Sequence, residues 1–510
     1  MQRHPLEIPE ILAAVGSFLP LWKQPYPARS RPKKARFEPK TLVTCLLVSK
    51  LWYKTLLPII WHGYWRFDNM GLIPKEAIRR NSHFLRALEL NKWPHVDMRV
   101  FECTNLVELK VFVGVSEIED QQTKEGEEDK VEERALVQGA EVAVKVEGGR
   151  HRGGGGEEVV PLPHGRRLLR SNPGIKILAL EGLEFRNDAN TAYVRPVLDT
   201  ADFVALERLE SLSLDSWDCT EGRLEQVLST VSKTLRELRV GRNCGLRPEL
   251  LKDNGGLVLE RLESLKWTCY ETVDAYLCEL VKRCPNLRSL KVKTIYGEWN
   301  FSRLADSLRT SCPKFDTLKL HAAGTQQHLE ALIRDSSTSG FRTLHIAFEG
   351  NTDKLMALII GHAATLEYLH VSPLTDHGDS GNYLRLMVEC TRLRCLSYKP
   401  VSVVFVDGFF RALTQQRWRC QGLEELRIEL GTGVLRRYGK YTEDERREVE
   451  ELLGGLGWEE VSESCEEDRL EPINIIELRN VLRLLALQEL ESMRVLWMDE
   501  FTFHKICSRS

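Results

Sequence analysis

Apolar residues recur along the chain in the order apolar-x-x-apolar-x-apolar. The motif stands at Leu85/Leu88/Leu90, Leu106/Leu109/Val111, Ile175/Leu178/Leu180, Leu209/Leu212/Leu214, Leu235/Leu238/Val240 and Leu262/Leu265/Trp267. It continues at Leu287/Leu290/Val292, Phe315/Leu318/Leu320, Phe341/Leu344/Ile346, Leu366/Leu369/Val371, Leu393/Leu396/Tyr398 and Leu423/Leu426/Ile428, with a degenerate copy at Leu490/Met493/Val495. From Leu209 to Leu423 the first positions are 26, 27, 25, 28, 26, 25, 27 and 30 residues apart. The period-2 segment predicts a strand with one buried face. Between strands the period becomes helical, in the stripes Leu224/Val227/Leu228/Val231, Val273/Leu277/Leu280/Val281, Phe301/Leu304/Ala305/Leu308 and Tyr383/Leu386/Met387/Cys390. Each unit therefore reads strand, turn, helix, turn. One unit cannot bury its apolar face alone, and stacked units can.

Two stretches interrupt the spacing. Residues 114–171 run from acidic to glycine-rich to basic, with few large apolar side chains, and predict a disordered insertion. Its glycines, Gly153–Gly156, are not followed by the Lys-Ser/Thr of a phosphate-cradling loop. Residues 431–510 predict a helical insertion and a polar terminal cap, with a Thr442/Glu445 capping box before one helix and a second helix over 473–490. Cys103, Cys284, Cys312, Cys390 and Cys420 each stand three residues before a first apolar position. That placement predicts a thiol packed where helix gives way to strand, one repeat from the next thiol and too far to share a metal ion.

The repeated motif resembles the leucine-rich-repeat family over about residues 84–430. The resemblance implies an α/β fold, a curved solenoid with parallel strands on its concave face and helices on its convex face. The Asn or Cys that usually follows the family's strand is mostly missing here.

The N-terminus carries a different pattern. In residues 5–22, Ile8, Ile11, Leu12, Val15 and Leu19 share a helical face, with Phe18 beside it. In residues 41–61, Leu42, Cys45, Leu46, Ser49 and Trp52 form a second stripe, with Leu47 and Val48 around it, and Pro58 is expected to end or restart the helix before Trp61. Two short helices of this kind carry more apolar surface than about 60 residues can hide, so a partner surface is implied. Residues 23–39, with PARSRPKKAR, read as a basic, Pro-rich loop between them.

This arrangement resembles the F-box. Its opening matches Ile8, Pro9, Glu10, Ile11 and Leu12, one residue shorter than usual. Val15, Phe18 and Leu19 match the end of its first helix. Cys45, Val48, Ser49, Lys50, Trp52 and Tyr53 match its later Cys-x-x-Val-Ser-Lys-x-Trp-Tyr segment, and Leu57, Pro58 and Trp61 match its close. The resemblance implies docking on a Skp-class linker that joins a cullin–RING ubiquitin ligase, while the repeats hold a protein substrate. The linker face would be Ile8, Pro9, Ile11, Leu12, Val15, Phe18, Leu19, Leu42, Cys45, Val48, Trp52, Tyr53, Leu57, Pro58 and Trp61. The chain would then be a non-catalytic adaptor that raises the substrate's effective concentration. A ligase-independent repeat scaffold is the alternative. The domain plan is 1–65 (F-box-like), 66–113 (first repeats), 114–171 (insertion), 172–430 (repeats) and 431–510 (cap).

Between the second and third apolar positions of each repeat stands a residue expected on the open strand face. That column reads Glu89, Lys110, Ala179, Ser213, Arg239, Lys266, Lys291, Lys319, His345, His370, Ser397 and Arg427. From Arg239 to His370 it is basic or His throughout, and Lys293 and His321 stand two positions further on. Such a stripe suits an acidic or phosphorylated protein ligand. It lacks the aromatic platforms of a single-strand nucleic-acid binder.

Composition narrows the remaining classes. With 71 basic and 74 acidic residues, a general polyanion binder is excluded. Thirteen Cys in 510 residues, with no Cys-x-x-Cys pair, predict neither a disulfide scaffold nor a zinc ribbon. No apolar run reaches the ~18 residues of a membrane span. Pro9 and Glu10 interrupt the one stretch that looks like a secretion signal, so an intracellular protein of cytoplasm or nucleus is expected. Gly378-Asp379-Ser380-Gly381 echoes a serine-protease loop, but it falls inside a repeat and is ordinary turn chemistry. No catalytic residue, metal site or cofactor is expected.

Overall fold

A computed structural model describes residues 5–18, 22–23, 36–37, 40–65, 75–93, 101–113, 158–161, 163–182, 184–187, 190–197, 200–215, 223–241, 251, 256–269, 274–294, 301–321, 326–348, 352–373, 385–386, 388–398, 419–420, 422–428, 458–460, 495–498 and 501–505. These fall into two compact units. One contains residues 1–60, 209–212 and 219–510, the other 61–208 and 213–218.

In the first unit the repeats form a parallel sheet. Its strands are β11 (Glu237–Gly241), β12 (Ser264–Cys269), β13 (Ser289–Thr294), β14 (Thr317–His321), β15 (Thr343–Phe348), β16 (Tyr368–Pro373), β17 (Cys395–Tyr398) and β18 (Glu425–Ile428). Each pairs in parallel with the next. The register aligns the second motif position of every repeat, so Leu238, Leu265, Leu290, Leu318, Leu344, Leu369, Leu396 and Leu426 form one apolar ladder, each buried. Val240, Trp267, Val292, Leu320, Ile346 and Val371 form the next. Fully burying one such side chain is worth about 1.5–3 kcal/mol, so the ladders supply much of the cohesion between repeats. Helices α7 (Arg223–Val231), α8 (Asp274–Val281), α9 (Phe301–Ser311), α10 (Gln326–Asp335) and α11 (Thr352–Ile360) bury their apolar stripes. The sheet is covered on one side and polar on the other. The parallel sheet and its helices make this an α/β fold, the class that the leucine-rich-repeat resemblance implies.

The turn from helix to strand repeats one device. Cys284, Cys312 and Cys390 are buried there, and Cys103 and Cys420 are buried at the matching position ahead of their strands. The Cys312 thiol donates to the Cys284 carbonyl at 3.3 Å, and the Cys284 thiol to Leu280 O at 3.1 Å. Burial pushes the Cys312 thiol up to about 12, so it stays protonated and serves as a small packed donor.

The second unit holds β3 (Gly63–Trp65), β4 (Ala87–Trp93), β5 (Glu108–Val113) and β7 (Ile177–Gly182), again parallel in that order. A helix over Pro163–Arg170 (α5) lies within the stretch expected to be disordered. It is ordered because Leu168 and Leu169 are buried and because Asn172 follows it. Asn172 occupies the position the cysteines hold elsewhere, three residues before Ile175. Its amide nitrogen donates to Cys103 O (2.9 Å) and Leu168 O (2.7 Å), and its oxygen accepts from the Leu106 amide (2.9 Å). Residues 114–157 lie outside the described residues, as do the helices expected after Thr442 and over 473–490.

One register differs from the sequence reading. Strand β20 (Val495–Met498) pairs with β18 so that Leu426 faces Leu496. The second and third positions of the last copy are therefore Leu496 and Met498 rather than Met493 and Val495. Apolar residues recur every two or three positions there, so the motif fits the sequence in two frames. Among the described residues, no helix is long and apolar enough to cross a membrane.

Candidate functional sites: an N-terminal helical face and a cationic strand column

Helices α1 (Pro9–Phe18), α2 (Lys40–Leu46) and α3 (Lys50–Ile60) pack around Leu12, Leu42 and Leu56, each 1% exposed. Cys45, Leu46, Trp52, Ile59 and Ile60 pack against that nucleus. Leu12 and Leu42 therefore join the helices to one another, which corrects their assignment to a partner-facing surface. Leu56, which the helical stripes left out, completes the nucleus. Cys45 and Trp52 are divided between core and surface.

The expected second helix is two helices. Ser49 caps α3, its Oγ accepting from the Trp52 amide at 3.2 Å. The break at 47–49 leaves Leu47 83% and Val48 62% exposed. Ile11, Val15, Val43 and Tyr53 are exposed too, as is Pro9, while Ile8, Leu57, Pro58 and Trp61 are partly buried. Pro58 does not end α3. It stands in the last turn, where it removes only the bond that residue 58 would donate to the Lys54 carbonyl. The Phe18 side chain and Leu19 lie outside the described residues. Trp22–Lys23 pairs antiparallel with Arg36–Phe37, so the two ends of the basic insertion lie together.

Gly16 is where α1 approaches α3. A Cβ there would stand 2.5 Å from Leu56 Cδ2 and 2.9 Å from Ile59 Cδ1. Gly16→Leu is expected to force the helices apart and destabilise the helical unit by about 1–3 kcal/mol. Amide exchange in α1 and α3 reads this, and unchanged protection would contradict the close approach.

The strand column forms as the spacing predicts. Arg239, Lys266, Lys291, Lys319, His345, His370, Ser397 and Arg427 are consecutive register partners, and Lys293 pairs with His321. Glu89, Lys110 and Ala179 align likewise in the other unit. The column is not uniformly cationic. Lys266 Nζ pairs with Glu237 Oε1 at 2.6 Å, an acid contributed by the adjoining column. Lys110 pairs with Glu108. Lys291, Lys293 and Lys319 have no ion-pair partner among the described residues. Partial burial and the neighbouring Lys319, Lys266, Arg239 and Lys293 charges push the Lys291 ammonium pKa down.

No family model matches the chain, and no curated protein matches it. Among solved structures, the leucine-rich repeat-containing protein LegL7 from Legionella pneumophila is similar at 13% identity, with a TM-score of 0.29, over 56% of this chain and 86% of that one.

Two imidazoles, His345 and His370, continue the column, and His321 stands beside them in the next one. The ring centroids of His321 and His345 are 4.4 Å apart, and those of His345 and His370 are 3.8 Å apart. His370 is held at both nitrogens, Nδ1 by Ser397 Oγ at 2.6 Å and Nε2 by Ser372 Oγ at 3.2 Å. Burial, then His370, His321 and the lysines, press the His345 pKa down to about 3. His321 is lowered by burial, Lys291 and His370. The folded state thus keeps His321 and His345 neutral, while in the unfolded chain they take up protons below the ordinary pKa of about 6.5. The His345 contribution to stability is complete above about pH 6.5 and is lost as the pH falls towards 3. His345→Gln is expected to flatten the acid side of the stability–pH profile, and an unchanged slope would contradict the assignment. Gly378–Gly381, the serine-protease-like stretch, lies outside the described residues.

Proposed function

We propose that the chain is a substrate-recognition adaptor whose helical N-terminus docks a Skp-class linker of a cullin–RING ubiquitin ligase, and whose strand face captures a protein ligand in cytoplasm or nucleus. A leucine-rich-repeat fold is typically a protein-binding scaffold and typically non-catalytic, which fits the role of holder. The observation that carries the reading is the N-terminal turn. A three-helix unit with a satisfied nucleus still projects Leu47 and Val48 into solvent, next to Tyr53 and on the segment that resembles the F-box. Large apolar side chains held in a capped turn suit an interface core. The test is size-exclusion chromatography of the full chain mixed with a purified Skp-class linker. A co-eluting one-to-one complex is expected. Separate elution of two folded proteins would leave a ligase-independent repeat scaffold.

A further inference from the structure

The cationic column is divided by its own pairing. Lys266 is answered by Glu237, and His370 is tied to two serine hydroxyls. Between them Lys291, Lys319 and Lys293 remain without an anion among the described residues, with His321 and His345 alongside. Neighbouring strands lie about 4.8 Å apart, and residues two apart on one strand lie about 6.5–7 Å apart. The three lysines therefore stem from a triangle that long, flexible side chains can close onto one small anion.

We propose that Lys291, Lys293 and Lys319, with the imidazoles of His321 and His345, form a binding site for a phosphomonoester carried on a protein segment. This narrows the capture face described above and rests on that reading. A phosphate monoester brings a charge of about −1.5 to −2 at neutral pH and three acceptor oxygens to one point. A carboxylate brings one charge and two oxygens, so it offsets less of the mutual repulsion of three lysines. The neutral histidines can each present an N–H without adding to that repulsion. Partial burial and the surrounding cations already press the Lys291 pKa down, and a bound anion offsets the repulsion among those cations. A nucleic-acid strand fits less well. The unanswered charge spans two strands only, while a nucleic-acid backbone needs a track of cations with successive stacking platforms.

The experiment uses the full chain and fluorescent peptides of neutral sequence carrying phosphothreonine, glutamate or unmodified threonine at the centre, read by anisotropy. The phosphorylated peptide is expected to bind at least tenfold more tightly than the glutamate peptide. Lys291→Gln combined with Lys319→Gln should weaken it at least tenfold, whereas Lys314→Gln, an equal charge change at an exposed lysine that donates to Asn286, should leave it unchanged. Inorganic phosphate should compete, weakly. Equal binding of glutamate and phosphothreonine peptides, or equal loss in Lys314→Gln, would overturn the site. Tighter binding of a single-stranded thymidine oligonucleotide, lost in the same double variant, would overturn it in favour of nucleic acid. Retained complex formation with the linker in the double variant separates failure of this site from failure of the adaptor reading.

Discussion

Phe341→Ala is expected to destabilise the repeat array by about 3–5 kcal/mol. Phe341 is fully buried at the first motif position of its repeat. It meets Phe315 of the preceding repeat edge to face, with centroids 5.8 Å apart, and the His362 ring at 4.9 Å. Truncation removes the transfer energy of the ring and leaves a cavity shared by two repeats, which neighbouring backbone cannot fill because it is fixed in the parallel ladder. Each repeat is held chiefly by its neighbours, so the loss is felt at an interface rather than at one residue. Urea unfolding followed by circular dichroism reads the effect as a lowered midpoint. A change below about 1 kcal/mol would mean that the aromatic pair does not join the repeats.

The second large effect concerns the N-terminal turn. Leu47→Asp with Val48→Asp is expected to weaken linker binding by about 30–1000-fold, the range of an interface hot spot worth 2–4 kcal/mol. The two side chains are exposed, so the change leaves the Leu12/Leu42/Leu56 nucleus in place. Trp52→Ala is a poorer probe because Trp52 packs on that nucleus, and its loss would loosen α3 as well. Calorimetric titration with the linker measures the effect, with amide exchange of α1–α3 as the control for folding. Wild-type affinity in the folded double variant would remove the turn from the interface.

The strand columns were legible because a period-2 apolar motif recurring every 25–30 residues leaves one register once the strands stack. Arg239 to Arg427 follow from spacing alone. What spacing cannot give is which charges are answered. Glu237 reaches Lys266 diagonally on the adjacent strand, and that contact depends on rotamers rather than pattern. The break between α2 and α3 was hidden because Leu46, Leu47 and Val48 continue an apolar run. The signal was Ser49, a hydroxyl placed to cap the helix that follows. Helix α5 escaped because its arginines made it look like the end of the acidic and glycine-rich stretch, while only Leu168 and Leu169 marked a buried side. Asn172 was the missing clue, standing where other repeats place cysteine.

Amide exchange of the full chain with and without a purified Skp-class linker tests the adaptor reading most directly. Added linker is predicted to slow exchange in residues 43–53, across the turn and the start of α3, and to leave β12–β16 unchanged. No slowing in 43–53 at saturating linker, or slowing confined to the strand face, would contradict it.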